Sequence, residues 1–170
     1  LWITDLNGNL LLEKILSASS SDARSITSIG KNLFLCGVLG QDLFNQATLW
    51  IVDLDGSVVS ETILSNTPSE ALSIRSFGKN LFICGATYNT ENLGYATIWK
   101  TNLNASAVIS KTSSVFSALS DISFSGSKLV MTGAIVNSEA VPLRAIFTTN
   151  TNLDTITPIP FGGVGLGFSL

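Results

Sequence analysis

Residues 74–85 read Ile74-Arg75-Ser76-Phe77-Gly78-Lys79-Asn80-Leu81-Phe82-Ile83-Cys84-Gly85. The same phrase stands earlier as Ile26-Thr27-Ser28-Ile29-Gly30-Lys31-Asn32-Leu33-Phe34-Leu35-Cys36-Gly37, and later, more divergent, as Ile122-Ser123-Phe124-Ser125-Gly126-Ser127-Lys128-Leu129-Val130-Met131-Thr132-Gly133. Gly30, Gly78 and Gly126 are spaced by 48 residues. A second phrase alternates with the first: Leu1-Trp2-Ile3-Thr4-Asp5-Leu6-Asn7-Gly8, Leu49-Trp50-Ile51-Val52-Asp53-Leu54-Asp55-Gly56, Ile98-Trp99-Lys100-Thr101-Asn102-Leu103-Asn104-Ala105 and Ile146-Phe147-Thr148-Thr149-Asn150-Thr151-Asn152-Leu153. A fixed period of this length is the signature of a repeat architecture.

Each period divides into four short apolar runs. In the clearest copy they are residues 71–77, 80–86, 96–103 and 107–112, all rich in Val, Ile, Thr, Phe and Trp. No stretch of eleven or more residues carries helical spacing, so the chain reads as all-β and antiparallel. Gly78-Lys79-Asn80 marks a hairpin between the first two runs. Asn7-Gly8 and Asp55-Gly56 mark hairpins between the last two, and such dipeptides suit a type I′ turn. Asp5, Asp53, Asn102 and Asn150 recur at the head of those turns and read as caps for backbone N–H groups. Longer polar loops are expected at 39–46, 89–94 and 137–142.

Leu33-Phe34-Leu35-Cys36 and Leu81-Phe82-Ile83-Cys84 are apolar on both faces of a strand. Such strands need cover on both sides. The charged fraction of 12% is about half the globular norm and agrees with that demand. A radial stack of four-stranded sheets supplies the cover, and at this point the chain resembles a β-propeller with blades of about 48 residues. The Gly-His and Trp-Asp pairs of WD repeats and the Gly-Gly pair of kelch repeats are missing, and Trp2-Ile3-Thr4-Asp5 only faintly echoes the YWTD pattern. The resemblance implies an architecture and no particular family. It divides the chain into a half blade at 1–22, blades at 23–70, 71–118 and 119–166, and the start of another at 167–170, with about fourteen strands in all.

Trp50 and Trp99 would then fill the space between neighbouring blades, which suits a ring repeated once per blade better than a ligand cage. About three and a half blades do not close a ring, so the remaining blades would come from a longer chain or from a second copy. Two chains of 170 residues hold 340, close to seven periods of 48, or 336. An open solenoid is the other arrangement.

The composition excludes several classes of chemistry. There is no His, the usual general base and metal ligand. Cys36 and Cys84 are the only two cysteines and hold matching places in neighbouring repeats; they are expected to be free, buried thiols. The net charge is −3 with scattered Lys and Arg, which argues against nucleic acid. No apolar run is long enough to span a bilayer. The run Gly162-Gly163-Val164-Gly165-Leu166-Gly167 lacks the Lys-Ser/Thr sequel of a phosphate loop and reads as an inter-blade connection. Asn104-Ala105-Ser106 is a glycosylation sequon, meaningful in a eukaryotic secretory setting.

No catalytic constellation emerges, and no cofactor or metal is implied. The candidate ligand-binding residues are the charges nearest the expected inner strands and their loops: Asp22, Arg24, Glu70, Arg75 and Asp121. The bland reading makes them solvated rim charges. The expected function is a non-catalytic scaffold that binds a protein or a small polar ligand. The alternative is a propeller hydrolase or lyase acting on glycans, with its catalytic carboxylates in other blades. The compartment is left open by the sequence.

Overall fold

The computed structural model describes residues 1–15, 17, 20–40 and 45–164, the last three as backbone. The chain is all-β, with antiparallel pairing throughout and no helix among these residues. In chain order the strands are β1 (Trp2–Thr4), β2 (Leu10–Glu13), β3 (Ser21–Ile29), β4 (Asn32–Leu39), β5 (Gln46–Asp53), β6 (Val58–Ile63), β7 (Ser69–Phe77), β8 (Asn80–Tyr88), β9 (Gly94–Asn102), β10 (Val108–Ser125), β11 (Lys128–Val136), β12 (Pro142–Asn150) and β13 (Thr157–Val164).

They form a β1-β2 pair, a four-stranded sheet β3-β4-β5-β6, and a seven-stranded sheet running β7 to β13 in order. The seven-stranded sheet is two four-stranded units sharing one strand. Residues 108–116 of β10 pair with β9, and residues 117–125 pair with β11. Two strands expected to be separate are therefore continuous, which gives thirteen strands among the described residues where about fourteen were expected. Strands β3 and β7 also begin at Ser21 and Ser69, each two residues ahead of the expected division.

Three apolar layers lie between successive units. Leu35, Trp50 and Val52 pack with Leu1 of the first pair. Phe34, Cys36, Leu49 and Ile51 face Ile74, Ile83 and Trp99. Phe82, Cys84 and Ile98 face Ile122, Met131 and Phe147. Neighbouring residues of β4, and likewise of β8, enter different layers, so these strands are covered on both faces, as their apolar runs demand. No sheet closes on itself.

One device recurs in the first strand of each four-stranded unit. The register slips between Ala23 and Ser25, between Ala71 and Ser73, and between Leu119 and Asp121. Each slip is a β-bulge that pushes a carbonyl toward the facing strand. A Cβ on Gly37 would lie 1.9 Å from the Asp22 carbonyl oxygen, on Gly85 1.9 Å from that of Glu70, and on Gly133 2.0 Å from that of Ala118. Only glycine fits at these three positions.

The turns correct part of the sequence reading. Gly8 and Gly56 adopt positive φ, but Asn7 and Asp55 do not, so these are not type I′ turns. Asp5 Oδ1 instead accepts the N–H groups of Asn7 and Asn9, and Asp53 Oδ1 those of Asp55 and Ser57. Asn102 and Asn150 do the same, as expected of turn caps. So do Asn89 and Asn137, in stretches that read only as loops. The fourth residue of each turn has positive φ, including Asn92, Ala105, Ala140 and Leu153. The side-chain oxygen holds the turn closely enough for non-glycine residues to occupy that place. Gly162, Gly163 and Val164 belong to β13 and not to a connection. The expected strand start at 167–170, the rest of the glycine run and positions 41–44 of the expected loop at 39–46 lie outside the described residues.

Candidate functional site

The five candidate charges fall in three places. Asp22 and Arg24 flank the bulge of β3 and form an ion pair of 2.7 Å, both half-exposed. They line an open cleft of about 410 Å³ with Ser20, Ser21, Val38 and Asn45. Glu70 is the second residue of β7, and its carboxylate acts on the Tyr88 hydroxyl. Burial, followed by the Glu70 charge, pushes that hydroxyl up to about 12. Arg75 and Asp121 meet across neighbouring units, Nη2 to Oδ1 at 3.4 Å.

Asp121 is more tightly held by Ser73, whose Oγ donates to Oδ1 at 2.6 Å. Burial works to raise the Asp121 carboxyl, but the Ser73 hydroxyl, the Ile122 N–H and the Arg75 guanidinium outweigh it and hold it below the ordinary value. Arg75 also donates to the Ile74 carbonyl at 2.9 Å. One layer back, Ser25 Oγ accepts the Ile74 N–H at 3.3 Å. Ser25, Ser73 and Asp121 hold matching places 48 residues apart. They form a polar seam along the bulged strands, joining each unit to the next. Neither serine was among the candidates. Their recurrence at one period was the available signal, masked because serine is common in this sequence.

Cys36 and Cys84 are free and buried, as expected, on β4 and β8. They face successive layers, so the sheet containing β8 stands between them. Burial pushes the Cys36 thiol up to about 12, and burial with the neighbouring Cys36 raises that of Cys84 further from thiolate character. Neither is fitted for nucleophilic chemistry. No group of three or more Cys, Asp or Glu that could hold a metal occurs among the described residues. No helix among them is long and apolar enough to cross a membrane.

A second hollow, of about 490 Å³, lies at the same end of the strands as the loop after β11. It is lined by Tyr95, Val115, Phe116, Val136, Asn137 and Ala140. The Tyr95 and Phe116 rings stand 5.2 Å apart. The two hollows differ in character, one charged and polar, the other aromatic.

No protein-family model matches the chain, and none of the curated proteins compared with it is similar. Function therefore rests on the chemistry of these surfaces alone.

Proposed function

We propose that the chain forms blades of a β-propeller and serves as a non-catalytic binding scaffold, with the cleft at Asp22 and Arg24 as its site for a small polar ligand. The stack of four-stranded units, each covered on both faces by its neighbours, supports the propeller reading. The half-exposed Asp22–Arg24 pair carries the binding reading. It offers a carboxylate and a guanidinium side by side in a concave setting, and a ligand bearing both a cation and an anion matches it group for group. The pair sits at a bulge, a backbone feature that fixes where both side chains project.

The test is an NMR titration with the dipeptide glutamyl-arginine at up to about 10 mM, where even a millimolar site fills. Shifts confined to residues 20–24, 38–40 and 45, and abolished by Asp22→Asn with Arg24→Gln, are expected. Silence at those amides, or shifts scattered over the other Lys and Arg residues, overturns the reading.

A further inference from the structure

Asp5, Asp53, Asn102 and Asn150 head four turns of one form, and the turns differ mainly in chemistry. In each, the side-chain Oδ1 of the first residue accepts the N–H of the third: Asn7, Asp55, Asn104 or Asn152. The main-chain carbonyl of the first residue accepts the N–H of the fourth, which is Gly8, Gly56, Ala105 or Leu153. The third residue is exposed in all four. Asn7, Asn104 and Asn152 bond to the turn through their backbone N–H groups, so their side-chain amides stand in water.

Only in the first turn is that exposed asparagine followed by glycine, and Asn7-Gly8 is the one Asn-Gly step in the chain. An asparagine so placed can react with its own backbone. The Gly8 nitrogen, having given its proton to solvent base, attacks Asn7 Cγ. The new C–N bond closes a five-membered succinimide. The bond from Cγ to the amide nitrogen breaks, and that nitrogen takes up a proton and leaves as ammonia. Water then opens the ring at either carbonyl and yields aspartate or isoaspartate; nothing is oxidised or reduced. Glycine favours the closure because no Cβ crowds the attacking nitrogen. After Asn104 and Asn152 that nitrogen belongs to Ala105 and Leu153, whose side chains are buried in the apolar layers.

The second turn already carries the product. Asp55 donates its N–H to Asp53 Oδ1 at 3.0 Å, as Asn7 does to Asp5 Oδ1 at 2.8 Å, so an aspartate at position 7 fits the turn. Isoaspartate does not fit. It adds a methylene to the main chain after position 7 and pulls Gly8 and Asn9 away from their acceptors on Asp5. The folded turn also restrains the reaction. The Gly8 N–H is bonded to the Asp5 carbonyl at 3.1 Å, and Asp5 Oδ1 holds the N–H groups on either side of it, at Asn7 and Asn9. The nitrogen is freed for attack when the turn opens locally.

We propose that Asn7 is a site of spontaneous deamidation to aspartate and isoaspartate, and that the Asp5 cap governs its rate. The site does not depend on what adjoins β1, since Asp55 and Asn104, in turns further along the stack, are exposed at the same place. It also lies apart from the Asp22–Arg24 cleft.

Peptide mapping by mass spectrometry, after the folded chain has stood in mildly alkaline buffer, tests both parts. Conversion at Asn7 is expected to run several-fold ahead of Asn104 and Asn152, with isoaspartate among the products. Gly8→Ala is expected to slow it to the rate at Asn104, and Ala105 shows that alanine is accommodated at that place with positive φ. Conversion at Asn7 no faster than at the other two overturns the site. Asp5→Ala is expected to speed the reaction several-fold, and Asp5→Asn to leave it near the rate of the unaltered chain, because Asn102 and Asn150 cap the same turn. When the unaltered chain and Asp5→Ala are both unfolded in urea, the gap between them is expected to close. An unchanged rate in Asp5→Ala overturns the role of the cap. So does Asp5→Asn reacting as fast as Asp5→Ala, and so does a gap that persists in urea.

Discussion

The Ser73 hydroxyl donates to Asp121 at 2.6 Å across a gap of 48 residues in the sequence, joining the bulged strands β7 and β10 of neighbouring four-stranded units. The bond ties the bulged strand of one unit to that of the next. Arg75 stands 3.4 Å from the same carboxylate oxygen and adds a weaker, more exposed contact.

Removing either partner of this bond is expected to destabilise the chain by about 1 kcal/mol, since the acceptor is charged but partly in water. Ser73→Ala with Asp121→Ala should cost less than the sum of the two, with a coupling of about 0.5 kcal/mol in a double-mutant cycle. The carboxyl is lowered in the folded chain, so the unfolded chain takes up its proton first as pH falls. The contribution is complete above the ordinary value of 3.8 and fades as pH drops through the lower folded value. Urea midpoints measured between about pH 5 and about pH 2 should fall less steeply for Asp121→Asn than for the unaltered chain. Equal slopes, or strictly additive single losses, would contradict this account.

Gly85→Ala is expected to cost about 3 kcal/mol or more, because the new methyl would lie 1.9 Å from the backbone oxygen of Glu70 and a paired strand has little room to retreat. Gly37→Ala should behave alike. Gly78→Ala is the contrast: nothing lies within 4 Å of its Cβ position, and its cost is the strain of φ +61° alone. Denaturant melts of the three variants should rank Gly78→Ala as the mildest; the reverse order would remove the bulge from the argument.

The Thr101 and Thr149 hydroxyls are buried with no hydrogen-bond partner among the described residues. The corresponding place in the second unit is Val52, fully buried. Valine matches threonine in shape and has no group to desolvate, so Thr149→Val is expected to stabilise by about 1 kcal/mol, with Thr101→Val similar. Thermal melts measure it, and a lowered midpoint for both variants would show that the hydroxyls find partners.

The two thiols should be inert in the folded chain. With Cys36 pushed up to about 12 and Cys84 raised by burial, an aromatic disulfide reagent near neutral pH should find no thiol before denaturation and two after it. Rapid labelling of either in the native protein would place it at the surface and contradict the burial of β4 and β8 on both faces.

Much of the fold was legible because each strand announces itself locally. The phrase Gly78-Lys79-Asn80 with apolar runs on both sides specifies a hairpin through backbone geometry and side-chain burial, both read within a few residues. The caps at Asp5, Asp53, Asn102 and Asn150 were equally local. The caps at Asn89 and Asn137 were missed because they lie outside the recurring phrase that follows Trp2, Trp50, Trp99 and Phe147, which is what singled out the other four.

The candidate charges were legible as charges and not as partners. Asp22 and Arg24 are two residues apart, and a bulge decides that they pair. Arg75 and Asp121 are 46 residues apart, and the stacking of two units brings them together. Ser73 carried no sign of its role, since a hydroxyl in a strand says nothing until its neighbour is placed.

The sequence by itself determined the 48-residue spacing of its phrases, the antiparallel hairpins, the two-faced burial of the middle strands and the free, buried state of the cysteines. These follow from residue type and spacing, through forces that act over one strand and its turn. The tertiary structure alone decided which layer each ring enters, that β10 runs unbroken from one unit into the next, that Ser73 reaches Asp121, and that Trp2 stands uncovered while Trp50, Trp99 and Phe147 do not. These depend on contacts between segments about 48 residues apart, which only the packing of whole sheets brings within reach.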